Sequence, residues 1–236
     1  MKKLFAHLVT CFRRVGALLV PPPNRPSSQC GNINALLLHL CDFDYDLHMW
    51  VLRWLAYPLR NPGAKMSTCI LMNGGKDSGK SMFFNDVIAD IYGTDARALS
   101  PHRLQPDLLQ WTEDARFVII DGRYSDASLV HLKHLVTDSA IYAVARSKRQ
   151  ATLLPNHMNF VFLTGEVDFL HPGVGDRRFV AIEVPPPQQR RFYEAARYEI
   201  DNGGVEAFRE YLMSGLDMGD FTATTPAPVA RVREVA

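Results

Sequence analysis

The sequence predicts an α/β fold with a mainly parallel sheet, preceded by a small helical segment. Two observations carry the prediction. Apolar, strand-like runs alternate with helical patterns from residue 67 onward, the order that builds a parallel sheet with ligands at the carboxyl ends of its strands. Between the first such run and the first such helix lies Gly74-Gly75-Lys76-Asp77-Ser78-Gly79-Lys80-Ser81, a full match to the eight-position phosphate-binding loop.

Each position of that loop has a chemical reason. Glycines let backbone N–H groups close around phosphate oxygens, Lys80 reaches the β and γ phosphates, and the Ser81 hydroxyl ligates magnesium. The flanking pattern is the required one. Ser67 to Asn73 is a short apolar run suited to a buried strand, and Ser81 to Tyr92 has helical spacing. Such a helix presents free N–H groups and its positive dipole end to the phosphates. ATP or GTP binding is the reading this supports, against a glycine-rich turn that merely contains lysine and serine.

The chain has 236 residues, is 47% hydrophobic and 22% charged, and carries a formal net charge of +1. It is long enough for one sizeable core with a small annex, and nothing in its overall charge demands a polyanionic partner. The charge is unevenly spread: Lys2, Lys3, Arg13, Arg14 and Arg25 all precede Asp42, the first acidic residue. Residues 1–33 read as a basic arm and linker. Arg13 and Arg14 interrupt the apolar stretch of residues 1–20, which therefore fits neither a secretory leader nor a bilayer span. No membrane association is expected. Cys11, Cys30, Cys41 and Cys69 form no CxxC pair, so a reduced cytoplasmic setting is expected, without a disulfide framework or structural zinc. His131 and His134 lack companions at ligand spacing.

Residues 34–64 read as a helical prelude, with a helix over 34–59 that stops at Pro58 and Asn61-Pro62-Gly63. The core spans 65–187. After the loop and its helix come a polar stretch through Gln110, a strand at 116–121, a helix at 126–137, a hairpin at 141–154, and strands at 159–164 and 178–184. A C-terminal helical segment covers 188–220, and the Thr/Pro/Ala-rich residues 221–236 read as a flexible tail.

The run Arg116-Phe117-Val118-Ile119-Ile120-Asp121 places a carboxylate at the end of an apolar strand. Beside a phosphate loop, such an aspartate holds magnesium against the triphosphate. Asp121 is the metal-side acid. The next position, where a hydrolase carries the glutamate that polarises the attacking water, is Gly122. Asp126, Glu113 and Asp114 are alternative carboxylates there, each equally readable as a solvated surface acid.

Three further segments narrow the class: Tyr57 to Gly63, Pro155 to Gly165, and Asp176-Arg177-Arg178-Phe179 leading into Val180 to Val184. With the loop and Asp121, the ordered set over residues 45–187 resembles the helicase domain of superfamily 3 enzymes of viruses, phages and plasmids. The likeness is greatest to the primase-associated helicases of phages and mobile elements, a branch of the AAA+ ATPases. That resemblance implies an AAA+ P-loop core using ATP and Mg2+, self-association into a hexameric ring, and DNA replication in a bacterial host cell. Arg177 or Arg178 would be the arginine finger reaching a neighbour's γ-phosphate, the alternative being a surface salt bridge with Asp176. The strand ending Thr164-Gly165 corresponds to the sensor strand, whose usual asparagine is here Gly165, with Thr164 or Glu166 available to replace the contact.

The candidate hairpin carries Arg146, Lys148 and Arg149 at its tip, cations that can track a phosphate backbone or simply lie solvated. In the resembling helicases this hairpin moves single-stranded DNA through a central channel. A separate primase or origin-binding protein is an expected partner. The two glycines at 122 and 165 also admit a second reading, a hydrolysis-deficient nucleotide- and DNA-binding remnant or regulator. A small-metabolite kinase fits less well, because the prelude and basic hairpin have no place in it.

Overall fold

In a computed structural model of the chain, the described residues are 28–104, 114–122, 134–144, 151–165 and 178–228. The prelude is two helices rather than one: α1 spans Gly31–Leu40 and α2 spans Tyr45–Arg60. The break is local chemistry. Asp42 and Phe43 take positive φ angles of 51° and 58°, and the Asp44 carboxylate then caps α2 by accepting from the N–H groups of Asp46 and Leu47, both at 3.0 Å.

Strand β1, Cys69–Asn73, feeds the glycine loop, and the helix after it, which we label α3, is π-wound over Met82–Ile88 and α-helical over Ala89–Tyr92. Then follow β2 (Ala96–Leu99), β3 (Phe117–Asp121), β4 (Ala140–Val144), β5 (Ala151–Pro155), β6 (Asn159–Thr164) and β7 (Phe179–Glu183). Strand β2 lies in what reads as a polar stretch; it is a four-residue edge strand containing Arg97, with too little apolar alternation to signal itself. The C-terminal segment consists of α4 (Arg190–Glu199), α5 (Val205–Glu210) and π-wound turns at Ile200–Gly204 and Tyr211–Gly215.

The main sheet has five strands in the order β2-β3-β6-β1-β7, every pairing parallel. Parallel strands need crossovers, so both faces are covered and the strands are almost wholly apolar. On one face Ile70, Met72, Phe117, Ile119, Val161 and Leu163 join the helices in the larger core cluster. On the other, Leu71, Val118, Ile120, Phe160 and Phe162 form a second cluster. The hairpin of β4 and β5 is antiparallel, with Tyr142 paired to Leu153; these two apolar side chains are 71% and 59% exposed. Its tip, with Arg146, Lys148 and Arg149, lies outside the described residues.

Residues 221–228, read from sequence as the start of a flexible tail, pack against α2. Phe221 is buried edge-on to Trp50, whose indole N–H donates to the Thr225 carbonyl at 3.3 Å, and the Ser67 N–H donates to the Ala223 carbonyl at 2.9 Å. Aromatic partners in α2 hold this segment despite its composition.

The helices are tied together by Glu199 at the end of α4. Its carboxylate accepts from the backbone N–H groups of Asn32 and Ile33 at 2.7 and 2.9 Å and from the Asn32 amide at 2.7 Å, capping α1 from 166 residues away. Glu199→Ala should cost about 2 kcal/mol of stability through these charge-assisted bonds, measured by denaturant unfolding. A second expectation concerns acid. Burial pushes His48 down from 6.5 to about 4, with Nε2 lying 3.1 Å from Asn34 Oδ1. The folded value is below the unfolded one, so stability is full above pH 6.5 and is lost as the pH falls toward 4, by about 3 kcal/mol. His48→Gln should flatten that part of the stability–pH curve.

Candidate functional site

The carboxyl ends of the parallel strands bring the loop and the acid together. Residues 74–81 leave β1 and turn into α3, while Asp121 ends β3 one strand away across β6. The Ser81 hydroxyl donates to Asp121 Oδ2 at 2.8 Å. A hydroxyl and a carboxylate in contact at a strand end form a hard-oxygen pair of the type magnesium prefers.

Lys80 is only 8% exposed, and its Nζ donates to the carbonyls of Gly74 and Gly75 at 2.7 and 2.9 Å and to Ser78 Oγ at 2.9 Å. Burial lowers its pKa, opposed by the nearby Asp121 carboxylate. The ammonium is thus folded into its own loop, held by neutral oxygens that an anionic ligand would outcompete. Ser78 is buried, while Gly75, Lys76 and Asp77 form the exposed turn of the loop, Asp77 with a φ of 61°.

Gly79 is required by shape. Its φ is +90°, and a Cβ there would come within 2.7 Å of Leu36 Cδ1 and 3.0 Å of Tyr193 Cε1. Helices α1 and α4 therefore form the floor under the loop. His39 belongs to the same floor: it is fully buried, hydrogen-bonded to the Ser78 backbone, and packed edge-on against Phe192 and Tyr193. Burial lowers its pKa, with Asp42 and the Ser78 bond opposing. No sequence motif marks His39, since its role depends on a contact made 39 residues along the chain.

The two glycines that follow β3 and β6, Gly122 and Gly165, are each fixed by their surroundings. Gly122 has a φ of +141°, and a Cβ would meet Pro101 Cδ at 3.0 Å, so the backbone after Asp121 is shaped for glycine and not for glutamate. Gly165 follows Thr164, whose carbonyl accepts from the Gly74 N–H at 3.0 Å, and its own Cβ would lie 3.4 Å from the Gly74 carbonyl oxygen. Of the alternative carboxylates, Asp114 is exposed, and Glu113, Asp126 and Glu166 lie outside the described residues. Arg178 immediately precedes β7, its carbonyl accepting from the Cys69 N–H at 2.8 Å, which places its backbone about 16 Å from the loop along the strand direction. Arg177, Asp176 and His131 lie outside the described residues.

Sequence reasoning missed one polar pair on this ridge. Asn73 ends β1, Glu183 ends β7, their Cα atoms are paired, and Asn73 Nδ2 donates to the two Glu183 carboxylate oxygens at 3.1 and 3.3 Å. Neither belongs to a motif. Only the parallel register makes them neighbours. Among the described residues, no group of three or more His, Cys, Asp or Glu side chains could hold a metal by itself, and no helix is long and apolar enough to cross a membrane.

A family model described as a family of unknown function (DUF5906) matches residues 72–178. No curated protein matches. Among solved structures, an A-form apo structure of the NrS-1 C-terminal region aligns with a TM-score of 0.68 at 19% identity, covering 85% of this chain and 48% of that one. A further apo structure of the same region gives 0.68 at 21% identity, covering 85% of this chain and 49% of that one. The chain thus spans about half the length of the structures it matches, and at this identity the likeness is one of fold.

Proposed function

We propose that this chain is the ATPase core of a superfamily 3 type DNA helicase or translocase, an AAA+ P-loop protein acting in replication of a phage or mobile element. The observation that carries the reading is the Ser81–Asp121 contact at 2.8 Å beside a Lys80 held in its own loop. Two polar groups from the end of the loop, Lys80 and Ser81, lie with a carboxylate from the end of β3 in the arrangement a phosphate loop needs. The sheet order, with β6 between the loop strand and the Asp121 strand, supports the same reading.

In this account Gly74 to Ser81 wrap the triphosphate. Lys80 exchanges the Gly74 and Gly75 carbonyls for β- and γ-phosphate oxygens, and Ser81 and Asp121 hold Mg2+, which supplies charge neutralisation on the phosphates. Arg177 or Arg178 acts across a subunit boundary in a hexameric ring. Its position at the amino end of β7 keeps Arg178 away from its own loop, as a residue working in trans requires. Arg146, Lys148 and Arg149 contact single-stranded DNA, and a separate chain supplies priming or origin recognition. The glycine-shaped backbone at Gly122 favours one alternative, a nucleotide- and DNA-binding regulator without turnover.

The DNA half of the proposal is tested by reversing the charge of Arg146, Lys148 and Arg149 together. Fluorescence anisotropy with a labelled single strand should show affinity reduced at least about 100-fold at moderate salt, with a shallower salt dependence. Unchanged binding would remove the hairpin from the interface.

A further inference from the structure

Resting on the proposed nucleotide site, we infer that the groove between the start of α3 and the outer face of α4 holds the base of the bound nucleotide and selects a purine. The groove has a volume of about 460 Å³, and Met82, Arg190, Tyr193, Glu194, Arg197 and Tyr198 line it with mostly apolar surface. Small-molecule sites have that size and character, an apolar wall with a few placed polar groups.

The loop fixes which part of the ligand lies there. Met82 is the residue after Ser81, so the groove begins where residues 74–81 end. Tyr193 joins the two: a Cβ on Gly79 would lie 3.0 Å from its Cε1, and the same residue lines the groove. The metal pair sets the direction. In a phosphate loop the lysine reaches the β and γ phosphates while the backbone cradles α and β, so Ser81 and Asp121 mark the γ end. The α-phosphate and its ribose then leave on the flank away from Asp121. The sheet order places β3 beyond β6 on one side of β1 and β7 on the other. Helix α4 follows β7, and Val184 after that strand lies against Gly74, where a Cβ would meet the Val184 Cβ at 2.7 Å. The groove is on the flank toward which the base is directed.

Its chemistry suits a flat, uncharged ring. Residues 190, 193, 194, 197 and 198 share one face of α4 by helical spacing. The charges on that face are balanced: Arg190 Nε donates to Glu194 Oε1 at 2.7 Å, while Arg197 pairs with Asp86 of α3 and lies 4.0 Å from Asp201. Both guanidiniums are thus already matched by carboxylates, which gives a further anion little advantage and leaves planar cations beside which a ring can stack. The Arg197–Asp86 pair also ties α4 to α3, so the two walls are held in place before a ligand arrives. Tyr198 is 69% exposed, an aromatic surface outside both core clusters. Stacking gains grow with ring area, which favours a two-ring purine over a pyrimidine.

The test uses the full chain with Mg2+ and compares ATP, UTP and inorganic tripolyphosphate as competitors of a fluorescent ATP analogue. ATP should bind at least about 10-fold more tightly than UTP or tripolyphosphate, the scale of one base-stacking contact. Arg190 and Tyr198 are both exposed, so the double variant Arg190→Ala/Tyr198→Ala keeps the fold. It should remove the preference for ATP while tripolyphosphate affinity stays within about twofold. On irradiation, 8-azido-ATP should label the groove, in the peptides carrying Met82 or residues 190–198, and excess ATP should suppress the labelling. Equal affinities for ATP and UTP, an unchanged preference in the double variant, or labelling elsewhere overturns the assignment of the groove. If binding is still lost in Lys80→Ala, the nucleotide site stands without it. Binding of all three ligands unchanged by Lys80→Ala, or no binding at all, overturns the nucleotide site and the groove together.

Discussion

Lys80→Ala is expected to reduce ATP turnover by about 100-fold or more, through loss of the cation that faces the transferring phosphoryl group. Lys80 is buried and makes three bonds inside its loop. In the free protein, alanine leaves the carbonyls of Gly74 and Gly75 and the Ser78 hydroxyl without that donor. Gly74 and Gly75 lie in the part of the loop that solvent reaches, although Ser78 is buried, and removing a buried lysine also removes a desolvation cost. The thermal unfolding midpoint should therefore move little while turnover collapses. Phosphate-release kinetics and a melting curve on the same preparation separate the two effects.

The second large effect is on stability. Trp54 is fully buried in the larger core cluster, packs edge-on against Phe117 of β3 at 6.2 Å between ring centroids, and donates its indole N–H to Thr68 Oγ1 at 3.2 Å. It thereby joins α2, the entry to β1 and the strand that carries Asp121. Trp54→Ala should destabilise the fold by about 3–5 kcal/mol through cavity formation, with a further contribution from the unpaired Thr68 hydroxyl. Equilibrium unfolding in urea measures this directly, and a loss below about 1 kcal/mol would show that α2 is not packed on the sheet as described.

The fold was legible where one strong local signal sufficed. The apolar runs of β1, β3, β6 and β7 have expected limits within about two residues, the usual uncertainty of element ends. The hairpin strands were also foreseen. What stayed hidden had tertiary causes. Strand β2 exists because its backbone pairs with β3, not because its own residues are apolar. The break between α1 and α2 follows from the left-handed Asp42 and Phe43, neither of which is glycine. Residues 221–228 are fixed by Trp50 and Phe221, an aromatic contact that composition does not disclose.

The site divides in the same way. Lys80, Ser81 and the loop glycines lie in one contiguous motif, and Asp121 ends a strand of recognisable type, so their convergence was readable in advance. His39, Tyr193, Asn73 and Glu183 were not, because each acquires its place from a helix or strand brought in from elsewhere in the chain. Gly122 was seen as a departure from pattern, and its positive φ explains why a glutamate is not accommodated there.

The central claim is that residues 74–81 and Asp121 form a Mg2+-dependent ATP site. Calorimetric titration of the full chain with a non-hydrolysable ATP analogue in the presence of Mg2+ tests it most directly. The account predicts saturable binding that is abolished in Lys80→Ala and weakened at least about tenfold in Asp121→Ala or when Mg2+ is chelated. A folded parent chain that gives no binding heat, or binding untouched by either substitution, would contradict it.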